Sequence, residues 1–165
     1  MRFTLSILTL VFILTGCKVS YTFSGTDVGN AQTISIAIFS NRAALTPPIY
    51  PQTFTEELKD EFLRQTKLQI VQENGDLQMN GEIVAYTANP VSSTGDETTA
   101  LNRLQVTIKV NYINTLDPTK NFNRNFSRFE DYSSTENLST IENALLESIT
   151  EQLAQEIIQA SIGSW

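Results

Sequence analysis

Histidine is absent from this 165-residue chain, and cysteine occurs once, at Cys17. Without histidine the chain cannot assemble a Ser-His-Asp or Cys-His catalytic group, and the usual zinc ligand sets are excluded as well. A single cysteine also rules out a disulfide framework. Basic residues are few, with 11 Lys and Arg against 18 Asp and Glu, and this balance argues against a nucleic-acid partner. We therefore expect no metal and no cofactor.

Long apolar runs are also scarce, and the clearest one stands at the start of the chain. Arg2 precedes an apolar run over residues 3–14, which is shorter than the roughly 20 residues of a membrane-spanning helix. The run ends in Leu14-Thr15-Gly16-Cys17, which looks like a bacterial lipobox. The sequence therefore predicts a lipoprotein signal peptide over residues 1–16 and lipidation at Cys17, whose acyl chains would anchor the mature protein to a membrane.

The remaining chain is long enough for one compact domain. Residues 17–32 are rich in serine, threonine and glycine, and we interpret them as a tether between the lipid and the fold. Residues 33–165 then form a single predicted domain. Its predicted elements, in order, are a strand at 34–39, a helix from Thr53, strands at 67–72, from 77 and at 101–113, a fifth strand after Asp117-Pro118, and a helix from Ser139 to about Ile162.

Local signals support several boundaries of these elements. Thr53 with Glu56, and Ser139 with Glu142, have the spacing of a capping box at a helix start. Asn74-Gly75 is a strong hairpin signal and predicts a tight turn between the second and third strands. Gly81 indicates a bulge or a close backbone approach, and Gly163 is expected to end the last helix.

The strand at 101–113 alternates most clearly, because apolar Leu104, Val106 and Ile108 alternate with polar residues. In the fifth strand, Phe129 falls out of phase with Phe122 and Phe126. A bulge near Arg128 or an edge strand with arginines at its rim would explain this equally well. The pattern as a whole predicts an α+β fold, in which a mixed, mostly antiparallel sheet carries two amphipathic helices on one face.

Positive charge is concentrated in one hairpin of this acidic protein. Between Leu101 and Arg128 there is a single acidic residue, Asp117, so an anionic ligand would find its best surface here. The polar face of the strand at 101–113 is left without an internal partner by the predicted arrangement. The candidate contact residues are Arg103, Lys109, Lys120, Arg124 and Arg128.

Taken together, these features resemble the lipopolysaccharide-assembly lipoproteins of the LptE family. The resemblance rests on the lipobox, the polar tether, the first strand and its following helix, the alternating strand, Asn125-Phe126-Ser127-Arg128 and the long closing helix. It implies a non-enzymatic lipoprotein on the periplasmic side of the outer membrane. It also implies a place inside the large β-barrel protein LptD, with which the family moves lipopolysaccharide to the cell surface. The five basic residues are then candidates for contact with lipopolysaccharide or with the barrel.

Two other functions stay open at this point. The chain could be a periplasmic lipoprotein that acts as a chaperone or pilot for another envelope assembly through its sheet edge. It could also be an enzyme acting on envelope polysaccharide, for which Asp96 with Glu97, or Glu130 with Asp131, would have to supply the carboxylate pair. Adjacent residues of a strand point to opposite faces, so Glu130 and Asp131 are not expected to act together.

Overall fold

A computed structural model describes residues 28–91 and 100–163. The predicted signal peptide, Cys17, most of the tether and the Asp96–Glu97 pair lie outside the described residues. The elements are β1 (Thr33–Ile36), β2 (Ser40–Asn41), α1 (Tyr50–Gln65), β3 (Gln69–Val71), β4 (Leu77–Val91), β5 (Leu101–Asn114), a 3-10 turn (Pro118–Lys120), β6 (Phe122–Ser133) and α2 (Leu138–Ile162). Neither helix in this part of the chain is long and apolar enough to cross a membrane.

Within these residues the strands form one mixed sheet. Its order is β3-β1-β4-β5-β6, and the short β2 runs beside β4. β1 is parallel to both of its neighbours, whereas β4, β5 and β6 are antiparallel. The predicted α+β fold with a mixed sheet is confirmed.

Both helices cover the same face of the sheet. The even-numbered residues of β5, from Leu104 to Tyr112, are buried beneath them. α1 contributes Phe54, Leu58 and Phe62, and α2 contributes Ile149, Leu153 and Ile157; all six are fully buried. Burying a side chain of this size stabilises a fold by about 1.5–3 kcal/mol, so the shared apolar face sets the arrangement of helices and sheet.

The predicted start of α1 at Thr53 is wrong, because the helix begins at Tyr50. Pro51 lies in its first turn, where the missing N–H costs no helix hydrogen bond. The Thr53 hydroxyl donates to the carbonyl of Ile49 at 3.3 Å instead of capping the helix.

The predicted start of α2 at Ser139 is also shifted. The helix is capped by Asn137, whose Oδ1 accepts from the Ser139 N–H at 3.1 Å. Glu142, the expected capping partner, instead accepts a hydrogen bond from the Tyr86 hydroxyl. The predicted end at Gly163 is confirmed, since its N–H donates to the carbonyl of Gln159.

The hairpin predicted at Asn74-Gly75 does not form. β3 and β4 are not neighbours, because β1 lies between them and pairs with each in parallel. Asn74 has a left-handed backbone with φ 57°, which turns the chain back across β1. A Cβ at Gly75 would lie 2.6 Å from the backbone nitrogen of Ser35, so this crossing requires glycine.

Gly81 marks a close backbone approach, one of the two alternatives that the sequence indicated. A Cβ there would overlap the carbonyl oxygen of Lys109 and the ring of Phe39. The bulge in β4 lies further on, between Ile83 and Ala85. It shifts the buried positions, so that the next inward side chain is Tyr86.

The sequence offered two explanations for Phe129 being out of phase, a bulge near Arg128 or an edge strand. The structure shows that β6 is an edge strand. Its pairing with β5 runs without a register shift from Phe122 to Ser133, so there is no bulge near Arg128. Phe126 and Tyr132 are buried on the helix side. Phe129 is 45% exposed on the opposite side.

Candidate functional site

The sheet face away from the helices is polar across β4, β5 and β6; we call it the open face. It exists because the even-numbered residues of β5 point into the core, which turns the odd-numbered residues of β5 and their β6 partners outward. Facing pairs on it are Arg103 with Asp131, Thr107 with Ser127, and Asn111 with Asn123.

Arg103 makes a bidentate ion pair on the open face. Its Nε and Nη2 donate to the two carboxylate oxygens of Asp131 at 2.7 and 2.8 Å. Its guanidinium carbon also lies 3.5 Å from the centroid of the Phe129 ring. The Arg103 guanidinium holds the pKa of the Asp131 carboxyl below its usual range, and the carboxylate raises the pKa of Arg103. This bidentate pair keeps the arginine in a fixed position across two strands.

Amide and hydroxyl groups fill the centre of the open face. Gln105 Nε2 donates to the Ser127 hydroxyl at 2.8 Å, and that hydroxyl lies 3.0 Å from the hydroxyl of Thr107. Further along the strands, Asn80, Asn111 and Asn123 lie side by side on β4, β5 and β6. These groups both donate and accept hydrogen bonds, so the surface suits a polar, hydroxyl-bearing or hydrated partner.

Two shallow depressions lie on this face. The first has a volume of about 290 Å³ and contains Lys109. Glu82, opposite Lys109 in register, pairs with Arg42 at 2.6 Å. The second, of about 340 Å³, lies beside Arg103 and Gln105. The first depression thus contains Lys109 together with the acidic Glu82 and neutral polar groups, and the second contains Arg103 as its basic residue.

The five basic residues predicted from sequence do not share one surface. Arg103 and Lys109 lie on the open face. Arg124 and Arg128 lie at even positions of β6 and point to the helix side, and Lys120 lies in the 3-10 turn. The structure therefore divides the basic hairpin between two faces of the sheet.

The two β6 arginines have different surroundings. The guanidinium carbon of Arg124 lies 5.0 Å from the ring centroid of Phe122 and 4.6 Å from that of Phe126. Arg128 Nη2 pairs with the Glu156 carboxylate on α2 at 3.0 Å. Arg124 is exposed and is supported by the two rings, whereas Arg128 ties β6 to α2.

Sequence reasoning missed the β6 half of the open face. Asn123, Asn125, Ser127, Phe129 and Asp131 are all odd-numbered residues of β6, and this parity was a readable signal. Apart from Phe129, these residues are polar, as are the β5 residues that face them.

The Glu130–Asp131 carboxylates point to opposite faces, as the strand alternation predicts. Asp131 bonds Arg103 on the open face. Glu130 Oε1 accepts from Ser148 and from Gln152 on α2, each at 2.6 Å. The two carboxylates therefore cannot flank one glycosidic bond.

A cleft of about 330 Å³ lies between the start of α1 and the first half of α2. Pro47, Ile49 and Leu146 supply apolar surface, and Glu147 and Glu151 are among its acidic residues. Burial raises the pKa of Tyr50, which also lines the cleft, to about 12, so this hydroxyl stays protonated.

The fold is an α+β domain whose mixed sheet has one face covered by two helices and one polar face. A family model described as LptE, lipopolysaccharide-assembly, matches residues 31–161, and the chain belongs to this lipopolysaccharide-assembly lipoprotein family. No curated protein sequence matches the chain.

Solved structures share the fold at low sequence identity. A minor lipoprotein from Acinetobacter baumannii is 15% identical with a TM-score of 0.51, over 79% of this chain and 93% of that one. Uncharacterized lipoprotein B from Nitrosomonas europaea is 11% identical with a TM-score of 0.55, over 89% and 91%. A hypothetical protein from Chlamydia trachomatis is 7% identical with a TM-score of 0.54, over 79% and 98%.

Proposed function

We propose that this lipoprotein is the partner of a large outer-membrane β-barrel of the LptD type and supports the movement of lipopolysaccharide to the outer leaflet. The observation that carries the proposal is the family match over residues 31–161, which spans both helices and nearly the whole sheet. The protein acts in this complex by binding, without catalysis. Lipid on Cys17 holds it on the periplasmic side of the outer membrane.

The open face supports a position inside a barrel. The lumen of a wide outer-membrane barrel is polar and hydrated. A protein that fills such a lumen needs a folded surface that is polar and stable in water. The asparagine row on β4, β5 and β6 and the Gln105–Ser127–Thr107 network supply hydrogen-bonding groups for contact with polar lumen residues or bridging water.

Basic residues allow this surface to bind anionic groups. Lys109 lies in a polar depression of the open face, and Arg103 is fixed by Asp131 and Phe129. Lipopolysaccharide carries phosphates, for which arginine and lysine are the usual partners. We assign Arg103 and Lys109 to the open-face contact with the barrel or with lipopolysaccharide. Lys120, Arg124 and Arg128 are further contact candidates at the turn and on the helix side.

The test is purification of the tagged full-length lipoprotein from outer membranes in a mild detergent. One large β-barrel should accompany it in equal amount and separate only on denaturation. Recovery of the lipoprotein alone would contradict the proposal. Recovery with soluble proteins in place of a barrel would instead favour the chaperone or pilot function.

A further inference from the structure

The cleft between the start of α1 and the first half of α2 runs along both helices; we call it the helix groove. Its α2 wall carries Asn143, Glu147 and Glu151, which are exposed and follow one another at intervals of one turn. The two turns from Asn143 to Glu151 rise about 12 Å, the length of about four residues of an extended chain. The helix groove therefore has the length of a site for a short peptide segment.

Apolar side chains line the helix groove at its mouth and within it. Ile49 is 64% exposed, and Pro47 lies two residues before it in the loop that leads into α1. Leu146 of α2 is buried, and so are Tyr50 and Thr150, whose hydroxyls bond each other. The floor thus offers apolar surface, and its polar groups already have partners. An apolar side chain entering from outside would contact Leu146 and cover Ile49.

The charge of α2 is uncompensated on the side of the helix groove. α2 contains four glutamates and no lysine or arginine. Glu142 accepts a hydrogen bond from β4, and Glu156 pairs with an arginine of β6. The other two, Glu147 and Glu151, both line the helix groove and form no ion pair within residues 28–91 and 100–163. Like charges one turn apart on a helix are destabilising, so a cation bound between them would relieve their repulsion.

The opposite wall adds no positive charge to the helix groove. Glu57 of α1 lines it and pairs with Arg64 at 2.6 Å. The described residues that line the helix groove include neither lysine nor arginine. Acidic side chains on both walls disfavour phosphates and acidic peptides, and they favour a partner that combines positive charge with an apolar group.

We propose that the helix groove binds a short segment of a partner protein in which an apolar side chain is flanked by lysine or arginine. The apolar side chain fills the space between Ile49 and Leu146, and a basic side chain lies between Glu147 and Glu151. This contact lies on the helix side of the sheet, away from the open face. It rests on the residues of the helix groove and does not depend on the proposed function.

The first test is an NMR titration of the isotope-labelled full-length lipoprotein, in an uncharged detergent, with the end-capped peptide Lys-Leu-Leu-Lys. The backbone amides of Asn143, Leu146 and Thr150 should shift. Glu-Leu-Leu-Glu reverses the charge and Lys-Ser-Ser-Lys removes the apolar side chains, and each should bind at least about fivefold more weakly. Binding of Lys-Leu-Leu-Lys should also weaken as salt is raised, because the carboxylates are exposed.

Variants of the protein assign the binding to the helix groove. Glu147→Gln combined with Glu151→Gln removes both charges at nearly constant size and should weaken binding of Lys-Leu-Leu-Lys by about fivefold or more. Ile49→Ser should weaken it similarly by removing apolar surface. Asp60→Asn combined with Glu73→Gln removes two exposed charges outside the helix groove and is the matched control. Circular dichroism confirms that each variant is folded.

Photo-cross-linking in intact outer membranes identifies the natural segment. A benzoylphenylalanine in place of Ile49 should attach to a partner segment that mass spectrometry shows to contain an apolar residue beside lysine or arginine. The same group in place of Leu63, which is exposed and roughly 20 Å further along α1, should not attach to that segment.

Four results would overturn the proposal. They are equal binding of Lys-Leu-Leu-Lys and Glu-Leu-Leu-Glu, equal binding of Lys-Ser-Ser-Lys, amide shifts confined to the open face, and a cross-link from position 49 to an acidic segment. Equal binding of Lys-Ser-Ser-Lys would mean that the helix groove attracts any small cation. Failure of a barrel to co-purify, with peptide binding intact, would contradict the proposed function alone.

Discussion

The hydroxyl groups of Tyr50 on α1 and Thr150 on α2 lie 3.0 Å apart in the core, although 100 positions separate the two residues in sequence. Both side chains are buried, at 3% and 4% exposure. This contact is a polar link between the two helices. A buried hydroxyl that loses its hydrogen-bond partner lowers the free energy of unfolding by more than the hydrogen bond itself contributes. The link between the two helices should therefore be measurable by mutation.

Tyr50→Phe should therefore lower the free energy of unfolding by about 1–3 kcal/mol, because it leaves the Thr150 hydroxyl buried without a partner. Thr150→Val should have a similar effect for the same reason. The double variant should lose less than the sum of the two, since neither hydroxyl then remains. Urea unfolding of the four proteins gives the coupling. Strict additivity would show that the two hydroxyls do not interact.

Asp76 should make stability depend on pH in the acid range. Its Oδ2 accepts from the backbone N–H groups of Gln32 and Thr33 at 2.9 and 3.0 Å and from the Thr33 hydroxyl at 2.9 Å. These bonds lower the pKa of the carboxyl. Because the pKa of Asp76 is lower in the folded state than in the unfolded state, the carboxylate stabilises the fold fully at pH values above its unfolded pKa of about 3.9. This stabilisation is lost as the pH falls through the folded pKa.

We expect the stability difference between wild type and Asp76→Asn to be constant from about pH 5 to 7 and to narrow below about pH 4. Thermal unfolding at a series of pH values measures it. A difference that stayed the same down to about pH 2 would show that the charge of Asp76 does not contribute.

Gly81→Ala should be among the most damaging small substitutions in the sheet. The new Cβ would overlap the Lys109 backbone and the buried Phe39 ring, and we expect a loss of about 3 kcal/mol. Gly29→Ala is the comparison, because Gly29 has φ 57° but open space around it. Its cost should be only about 1 kcal/mol, from backbone strain. Equal unfolding midpoints for the two variants would contradict this order.

The parts of the fold that sequence predicts well have local causes. The alternation of β5 follows from one covered and one open face, and it is visible because each face repeats every second residue. The hairpin at Asn74-Gly75 was wrong because the insertion of β1 between β3 and β4 is a long-range pairing that leaves no local signal. The predicted helix start at Thr53 leaves Pro51 outside α1, whereas Pro51 lies in the first turn of the helix, where proline is favourable.

The sequence predicted which residue types the candidate site contains, but it did not predict how they are arranged on the sheet. The charge of the Leu101–Arg128 hairpin was visible, but charge along a chain does not say which face of a strand carries it. Arg103 and Lys109 lie at odd positions of β5, whereas Arg124 and Arg128 lie at even positions of β6. Because facing residues of β5 and β6 share parity, these two sets fall on opposite faces. Only the pairing register reveals this.

That division allows the open face to be tested separately. Lys109→Glu should reduce recovery of the barrel by about tenfold or more, because it places an acid in the polar depression beside Glu82. Arg124→Glu, on the helix side, should reduce it much less. Lys67→Glu makes the same charge change at an exposed position after α1 and serves as the matched control.

The ratio of barrel to lipoprotein after mild-detergent purification measures the effect, with circular dichroism to confirm folding. Equal losses for Lys109→Glu and Lys67→Glu would mean that overall charge governs the association. A larger loss for Arg124→Glu than for Lys109→Glu would move the contact to the helix side of β6. The expected order, with Lys109→Glu alone strongly impaired, would place the barrel contact on the open face, where the hydrogen-bonding groups of three strands converge.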